Sequence, residues 1–148
     1  MDNVIAEKDA MYLTETTVPL RLACVTNSGW PIVISLWYIY EDGKLYCATH
    51  KSAKILRHLR SGQRCAFEVG NNEPPYTGLR GRGVVTLITD SGEEVLKKLL
   101  SRYLKNVNSP LAKQLLSRSR DEIVIEIKPE RIYSWDFTER MRESLPAS

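Results

Sequence analysis

Apolar residues in this chain fall into short runs separated by turn residues, a pattern of strands more than of helices. The run Leu20-Arg21-Leu22-Ala23-Cys24-Val25-Thr26 stops at Asn27-Ser28-Gly29, a turn cluster whose Gly can supply positive φ, which predicts a strand followed by a turn. Residues 32–40 form a second run, separated from a third at 45–49 by Glu41-Asp42-Gly43-Lys44. An Asp-Gly pair tolerates the positive φ of a type I′ turn, so 45–49 is expected to be the antiparallel partner of 32–40. The 32–40 run does not alternate: Ile32, Val33, Ile34, Leu36, Trp37, Tyr38, Ile39 and Tyr40 occupy both faces. An antiparallel strand that is apolar on both faces must be covered on both. In a small barrel one face lines the interior, and the outer face needs a helix, a ligand or a second subunit.

The remaining pattern adds helices at the edges of this framework. Residues 4–13 suit a short helix, 64–69 a strand, Asn71-Asn72-Glu73-Pro74-Pro75 a loop, and 84–89 another strand. Ser91-Gly92-Glu93-Glu94 fits a capping box opening a helix with Val95, Leu96, Leu99, Leu100, Tyr103 and Leu104 on one stripe. Ser109-Pro110 starts a further helix, with Pro in the first turn. Ile123, Ile125 and Ile127 alternate with Glu122 and Glu126 in a half-exposed strand, Pro129 interrupts, and 131–137 places Tyr133, Trp135 and Phe137 on one face. Tight turns between the early strands exclude a parallel α/β sheet. The expectation is one domain over 1–148, mainly β (α+β), an antiparallel barrel with peripheral helices.

Composition narrows the class only a little. The chain has 148 residues, 43% hydrophobic and 26% charged, as in ordinary globular domains. A net charge of +3 is too weak to argue for nucleic acid as a partner. Cys24, Cys47 and Cys65 are odd in number and lie in apolar runs without a CxxC pair, which suits buried thiols in a reducing cytosol. Met1-Asp2-Asn3-Val4 lacks a basic region or long apolar stretch, so no signal peptide is expected. The longest apolar run is interrupted by Ser35 and too short to span a bilayer, so the expected location is the cytoplasm, away from membranes.

Candidate chemistry concentrates at His50-Lys51-Ser52-Ala53-Lys54. Ser52 reads as the N-cap and Gly62 as the C′ residue of a helix with Ile55, Leu56 and Leu59 on one face. A helix start favours acids, yet this one carries Lys51 and Lys54. Either both lysines extend into water, or a phosphate joins them with the Ser52 hydroxyl and the first-turn amides. Gly78-Leu79-Arg80-Gly81-Arg82-Gly83 leads into a strand, which favours bulges or close backbone approach over a nucleotide loop. His50 and His58 lack the companions a zinc site needs. Arg57, His58, Arg60 and Arg64 read as a solvated basic face, and Trp37, Tyr38, Tyr40 and Trp135 as core or dimer interface. No acid/base pair or nucleophile stands out and the catalytic residues are unknown, so a bound cofactor would have to do any difficult chemistry.

The ordered set Arg21-Leu22-Ala23-Cys24-Val25-Thr26, Gly29-Trp30-Pro31-Ile32-Val33-Ile34-Ser35-Leu36-Trp37-Tyr38, Asp42-Gly43-Lys44-Leu45-Tyr46 and Thr49-His50-Lys51-Ser52-Ala53-Lys54 resembles the pyridoxamine 5'-phosphate oxidase-like, FMN-binding split-barrel family. The resemblance covers roughly the first two-thirds of the chain. It implies a six-stranded antiparallel split β-barrel that forms a homodimer with FMN at the subunit interface. By similarity, Val33, Ile34, Ser35, Leu36 and Trp37 would run along the flavin ring, and Thr49, Lys51, Ser52 and Lys54 would hold its phosphate. Arg80, Arg82 or Trp135 of the second subunit would close the pocket. The function implied is an FMN-dependent oxidoreductase acting on a small molecule. The alternatives are a deazaflavin (F420) reductase, with Arg57, Arg60 and Arg82 along the cofactor's acidic tail, and a flavin- or haem-binding protein without turnover. The C-terminal Arg-Leu-His/Ser-Asp-Arg signature of true pyridoxamine phosphate oxidases does not occur; the corresponding end reads Trp135-Asp136-Phe137-Thr138-Glu139-Arg140-Met141-Arg142.

Overall fold

The computed structural model describes residues 4–142. Strands β1 (Leu20–Val25), β2 (Pro31–Leu36), β3 (Ile39–Glu41), β4 (Lys44–His50), β5 (Arg64–Gly70), β6 (Thr77–Ile88) and β7 (Glu122–Asp136) form one sheet in the order β2-β1-β5-β6-β7-β4-β3. Every pairing is antiparallel. Helices α1 (Glu7–Glu15), α2 (Gly92–Tyr103), α3 (Pro110–Ser117) and α4 (Thr138–Met141) flank it. The fold is the expected mainly-β one, with seven strands where the resemblance implied six.

The additional strand arises where the long apolar run breaks. Residues 32–40 do not form one strand: Trp37 and Tyr38 separate β2 from β3. Only β3 pairs with β4, across a turn whose Asp42 (φ 51°) and Gly43 (φ 79°) are both left-handed, as a type I′ turn requires. β2 pairs with β1 and lies at the opposite edge of the sheet, Ile34 facing Leu22 and Val33 facing Ala23. The expected pairing of 45–49 with the whole of 32–40 therefore holds only for its last residues. The break has a packing cause. Trp37 stacks on Tyr103 of α2, with ring centroids 5.1 Å apart and planes 5° from parallel, and the Tyr38 N–H donates to the Tyr103 hydroxyl at 3.3 Å. Those contacts draw the chain off the β1 edge and onto the helix.

The interior collects Leu20, Leu22, Leu45, Cys47, Phe67, Val69, Leu79, Val85, Ile125 and Ile127, with Leu13 from α1 and Ile55 and Leu59 from the 50s segment. A second layer lies outside β3, β4 and β7, where Val95 and Leu99 of α2 meet Ile39 and Val124. It covers Val124 fully, so β7 is buried on both faces over its first half, where simple alternation suggested half exposure. Leu96 and Leu100 then pack on Ala112 of α3. The opposite outer face, over β2, β1, β5 and β6, carries no helix among the described residues, and Val33 is 67% exposed there.

Long strands need local relief. β6 and β7 pair along their length through a shift at Arg82/Gly83: Arg82 faces Arg131 while Gly83 faces Pro129, leaving Glu130 as the additional residue. Pro129 thus sits in a bulge and does not end the strand. At Gly81 a Cβ would lie 2.5 Å from Phe67 Cζ and 2.7 Å from the Arg131 carbonyl oxygen, so this glycine permits close backbone approach. Ser109 caps α3 by accepting from the Ala112 N–H at 3.2 Å. Ser91 makes no such bond to α2, because its φ of −124° and ψ of 16° depart from N-cap geometry. No helix among the described residues is long and apolar enough to cross a membrane.

Candidate functional site

The expected helix over 52–62 is much shorter. Only Lys54–Arg57 is helical, as a single 3-10 turn, and Ala53 rather than Ser52 precedes it, with no side-chain cap. The chain leaves the turn because 60–63 are needed elsewhere. The Gly62 N–H (φ 89°) donates to the Val85 carbonyl at 2.7 Å, and the Val85 N–H donates back to the Gln63 carbonyl at 2.9 Å. Ile55 and Leu59 are buried beneath the turn and fix its underside to the barrel.

Ser52 is engaged with His50. The Ser52 N–H donates to His50 Nδ1 at 3.2 Å, and the Ser52 hydroxyl lies 2.7 Å from the same nitrogen. His50 Nε2 lies 3.7 Å from Asp121 Oδ2, in the 3-10 turn before β7. Lys51 ion-pairs with Asp121 at 3.1 Å, and its N–H donates to the Asp121 carbonyl at 2.7 Å. The Asp121 carboxyl is held below the ordinary carboxylate range by the Lys51 hydrogen bond first, with Lys51 and His50 charge adding to it. The acid absent from the local sequence therefore comes from Asp121, and one of the two expected cations is already neutralised. Lys54 has no ion-pair partner among the described residues. The amides of Lys54 and Ile55 have no intramolecular acceptor there either.

Beside this turn lies an open groove of about 400 Å³ lined by Ile32, Ile34, Thr49, Ala53, Lys54, Ile55 and His58. It joins the edge strand β2, the end of β4 and the 3-10 turn. Of the residues anticipated from sequence, Ile34, Thr49 and Lys54 meet in it. Val33 and Ser35 alternate to the other face of β2, where Val33 borders a second hollow of about 340 Å³ with Arg21, Ala23, Ala66, Phe67, Glu68, Arg80 and Gly81. Leu36 packs on the barrel core, and the Trp37 ring is taken up by Tyr103. Lys51 and Ser52 do not line the groove; they lie in the chain between Thr49 and Ala53, which do, and are engaged with Asp121 and His50. Arg80 lies over the Tyr133 ring at 5.8 Å. Arg82 borders a smaller hollow with Arg64, Cys65 and Glu130. Trp135 packs in its own chain over Gly70 and Gly78, where a Cβ would come within 3.1 and 2.7 Å of its ring.

Sequence reading missed Ile32, Ala53, Ile55 and His58 as groove residues and Asp121 as the counter-charge. The signal for His58 was present: in a 3-10 turn positions three apart eclipse, which puts His58 above Ile55. Asp121 had no local signal. The lining combines apolar side chains with one unpaired ammonium, one hydroxyl and one imidazole. Such a set can hold a flat apolar group and an attached anion.

Comparison with known proteins agrees with this architecture. No curated protein matches the chain in sequence. A conserved hypothetical protein of Mycobacterium tuberculosis superposes with a TM-score of 0.75 at 20% identity, covering 99% of this chain and 92% of its own. An F420 reductase superposes at 0.69 with 23% identity, covering 87% of this chain and 98% of its own. A FAD-binding protein of Mesorhizobium loti superposes at 0.61 with 19% identity, covering 88% and 94%. These likenesses establish the shared fold. The family model described as pyridoxamine 5'-phosphate oxidase matches residues 7–136, nearly the whole described chain, and the chain belongs to that family.

Proposed function

We propose that the groove beside the 3-10 turn binds FMN and that the protein is a flavin-dependent oxidoreductase acting on a small molecule. The observation that carries this is the meeting of unpaired Lys54 with Thr49 and His58 against the apolar surface of Ile32, Ile34 and Ile55. Lys54, Thr49 and the free amides of Lys54 and Ile55 would hold the phosphate, with Ser52 beside them. Ile32 and Ile34 would lie against the ring and exclude water from it. β2 is an edge strand, so its unpaired backbone supplies donors and acceptors for the ring's polar rim. The bound flavin would supply the hydride or electron transfer.

The groove is open, and a second copy of the chain would close it. The uncovered face of β2, β1 and β5 supports a homodimer: Val33 and Val25 are 67% and 56% exposed, beside Ala23 and Ala66. Arg21, Glu68 and Arg80 border the same face and offer both signs of charge for pairing. Val33→Arg is expected to give a monomer with weakened flavin binding.

The structural likeness to an F420 reductase favours a second reading, in which the same groove takes the deazaflavin. The visible spectrum and mass of the small molecule that co-purifies with the protein separate these. A flavin spectrum with the mass of FMN supports the first reading and a deazaflavin mass the second. A haem band, or no binding of either cofactor at micromolar concentration, overturns both.

A further inference from the structure

His50 occupies the donors that an arriving anion would need. Its Nδ1 accepts the Ser52 N–H and lies 2.7 Å from the Ser52 hydroxyl, so it acts as an acceptor and the ring proton resides on Nε2. Nε2 then faces the Asp121 carboxylate at 3.7 Å. In this state both Ser52 donors are committed inward. A protonated Nδ1 can only donate. It would give its proton to a lone pair of the Ser52 oxygen and could no longer accept from the Ser52 N–H. Both the Ser52 hydroxyl proton and the Ser52 N–H would then be free to face an anion.

We infer that His50 is a positioning residue that takes up a proton when the phosphate binds, and so switches Ser52 from a bonded state to a donating one; this rests on the ligand proposed for the groove. The proton comes from solvent and goes onto Nδ1, Nε2 keeps its own, and no bond between heavy atoms is made or broken. A phosphate dianion beside the ring favours its charged form. Asp121 faces Nε2, and Glu122 sits directly across the β4–β7 pair from His50. Burial pushes the Glu122 carboxyl up, and His50 charge opposes that shift. Lys51, the nearest cation, is held by Asp121. α2 meets this corner through Gly92, packed on the Glu122 main chain, and brings no charged side chain within ion-pair distance of His50 among the described residues.

The test is isothermal titration of wild type and His50→Asn with FMN and with riboflavin, near pH 7.5, in two buffers of different ionisation enthalpy. Asn offers an acceptor to Ser52 and does not titrate; His50→Gln serves in its place should the first substitution prevent folding. On binding FMN, wild type is expected to take up more protons than His50→Asn, by roughly half a proton or more per ligand, and neither protein any with riboflavin. His50→Asn is also expected to bind FMN about tenfold more weakly with riboflavin affinity unchanged. Tight FMN binding with the same proton uptake in both proteins overturns the coupling and leaves the ligand assignment standing. No FMN binding by wild type overturns both.

Discussion

The Lys51 ammonium lies 3.1 Å from the Asp121 carboxylate, so of the two lysines that flank Ser52 only Lys54 lacks an ion-pair partner among the described residues. A charge-assisted bond to phosphate is worth about 1.5–3 kcal/mol, or roughly ten- to a hundredfold in affinity. Lys54→Ala is therefore expected to weaken FMN binding about tenfold or more. Lys51→Ala should weaken it less than about threefold, since an exposed ion pair contributes little. Flavin fluorescence titration measures both, and equal losses would contradict the asymmetry.

The stack of Trp37 on Tyr103 fixes where the long apolar run breaks. Tyr103→Phe keeps the stack and removes the acceptor for the Tyr38 N–H, which is expected to cost about 1 kcal/mol. Tyr103→Leu removes both, and the cost should rise by a further 0.5–1.5 kcal/mol or so for the lost ring pair. Urea denaturation gives both values. Identical stability of Tyr103→Phe and wild type would show that the hydroxyl contact contributes nothing.

Two glycines should respond differently to alanine. At Gly81 the new Cβ would strike the Phe67 ring and the Arg131 carbonyl, an overpacking expected to cost about 2–3 kcal/mol. At Gly29 there is open space, and only the φ of 88° opposes substitution, at about 1–2 kcal/mol. Melting both proteins orders them, and a more stable Gly81→Ala would contradict the close packing of β5 and β6.

Much of the fold was legible because local signals agreed with it. Asp42-Gly43 marked its hairpin, Ser109-Pro110 its helix start, and Gly78 to Gly83 the close approach of backbone in β6. Two of the failures share a cause in distant contacts, and a third is local. The apolar run gave no sign that Trp37 would leave the sheet, because its partner Tyr103 lies on a helix far along the chain. Likewise the two lysines looked unpaired because Asp121 arrives from the turn before β7. Ser52 looked like a cap, yet His50 competes for its hydroxyl and N–H and the helical turn starts later.

The buried thiols tie stability to alkaline pH. Burial pushes the Cys47 thiol well above its ordinary range and the Cys65 thiol up to about 12. The unfolded chain releases these protons above about pH 8.5 while the folded chain retains them. Protons bound are then fewer in the unfolded state, so stability falls as pH rises through that range, by at most about 1.4 kcal/mol per pH unit per thiol. Tyr38 adds to the decline above about pH 10, since burial raises its hydroxyl as well. Urea midpoints in reducing buffer should fall from about pH 8 upward, and Cys65→Ala should flatten the slope. A midpoint independent of pH up to about 10 would contradict the burial of these groups.

The proposed phosphate site is tested most directly by comparing FMN with riboflavin, which differ only in that group. Wild type should prefer FMN by about tenfold or more. Ser52→Ala combined with Lys54→Ala should abolish the preference while leaving riboflavin affinity within about twofold. Equal losses for the two ligands would show that the segment beside the groove does not hold a phosphate.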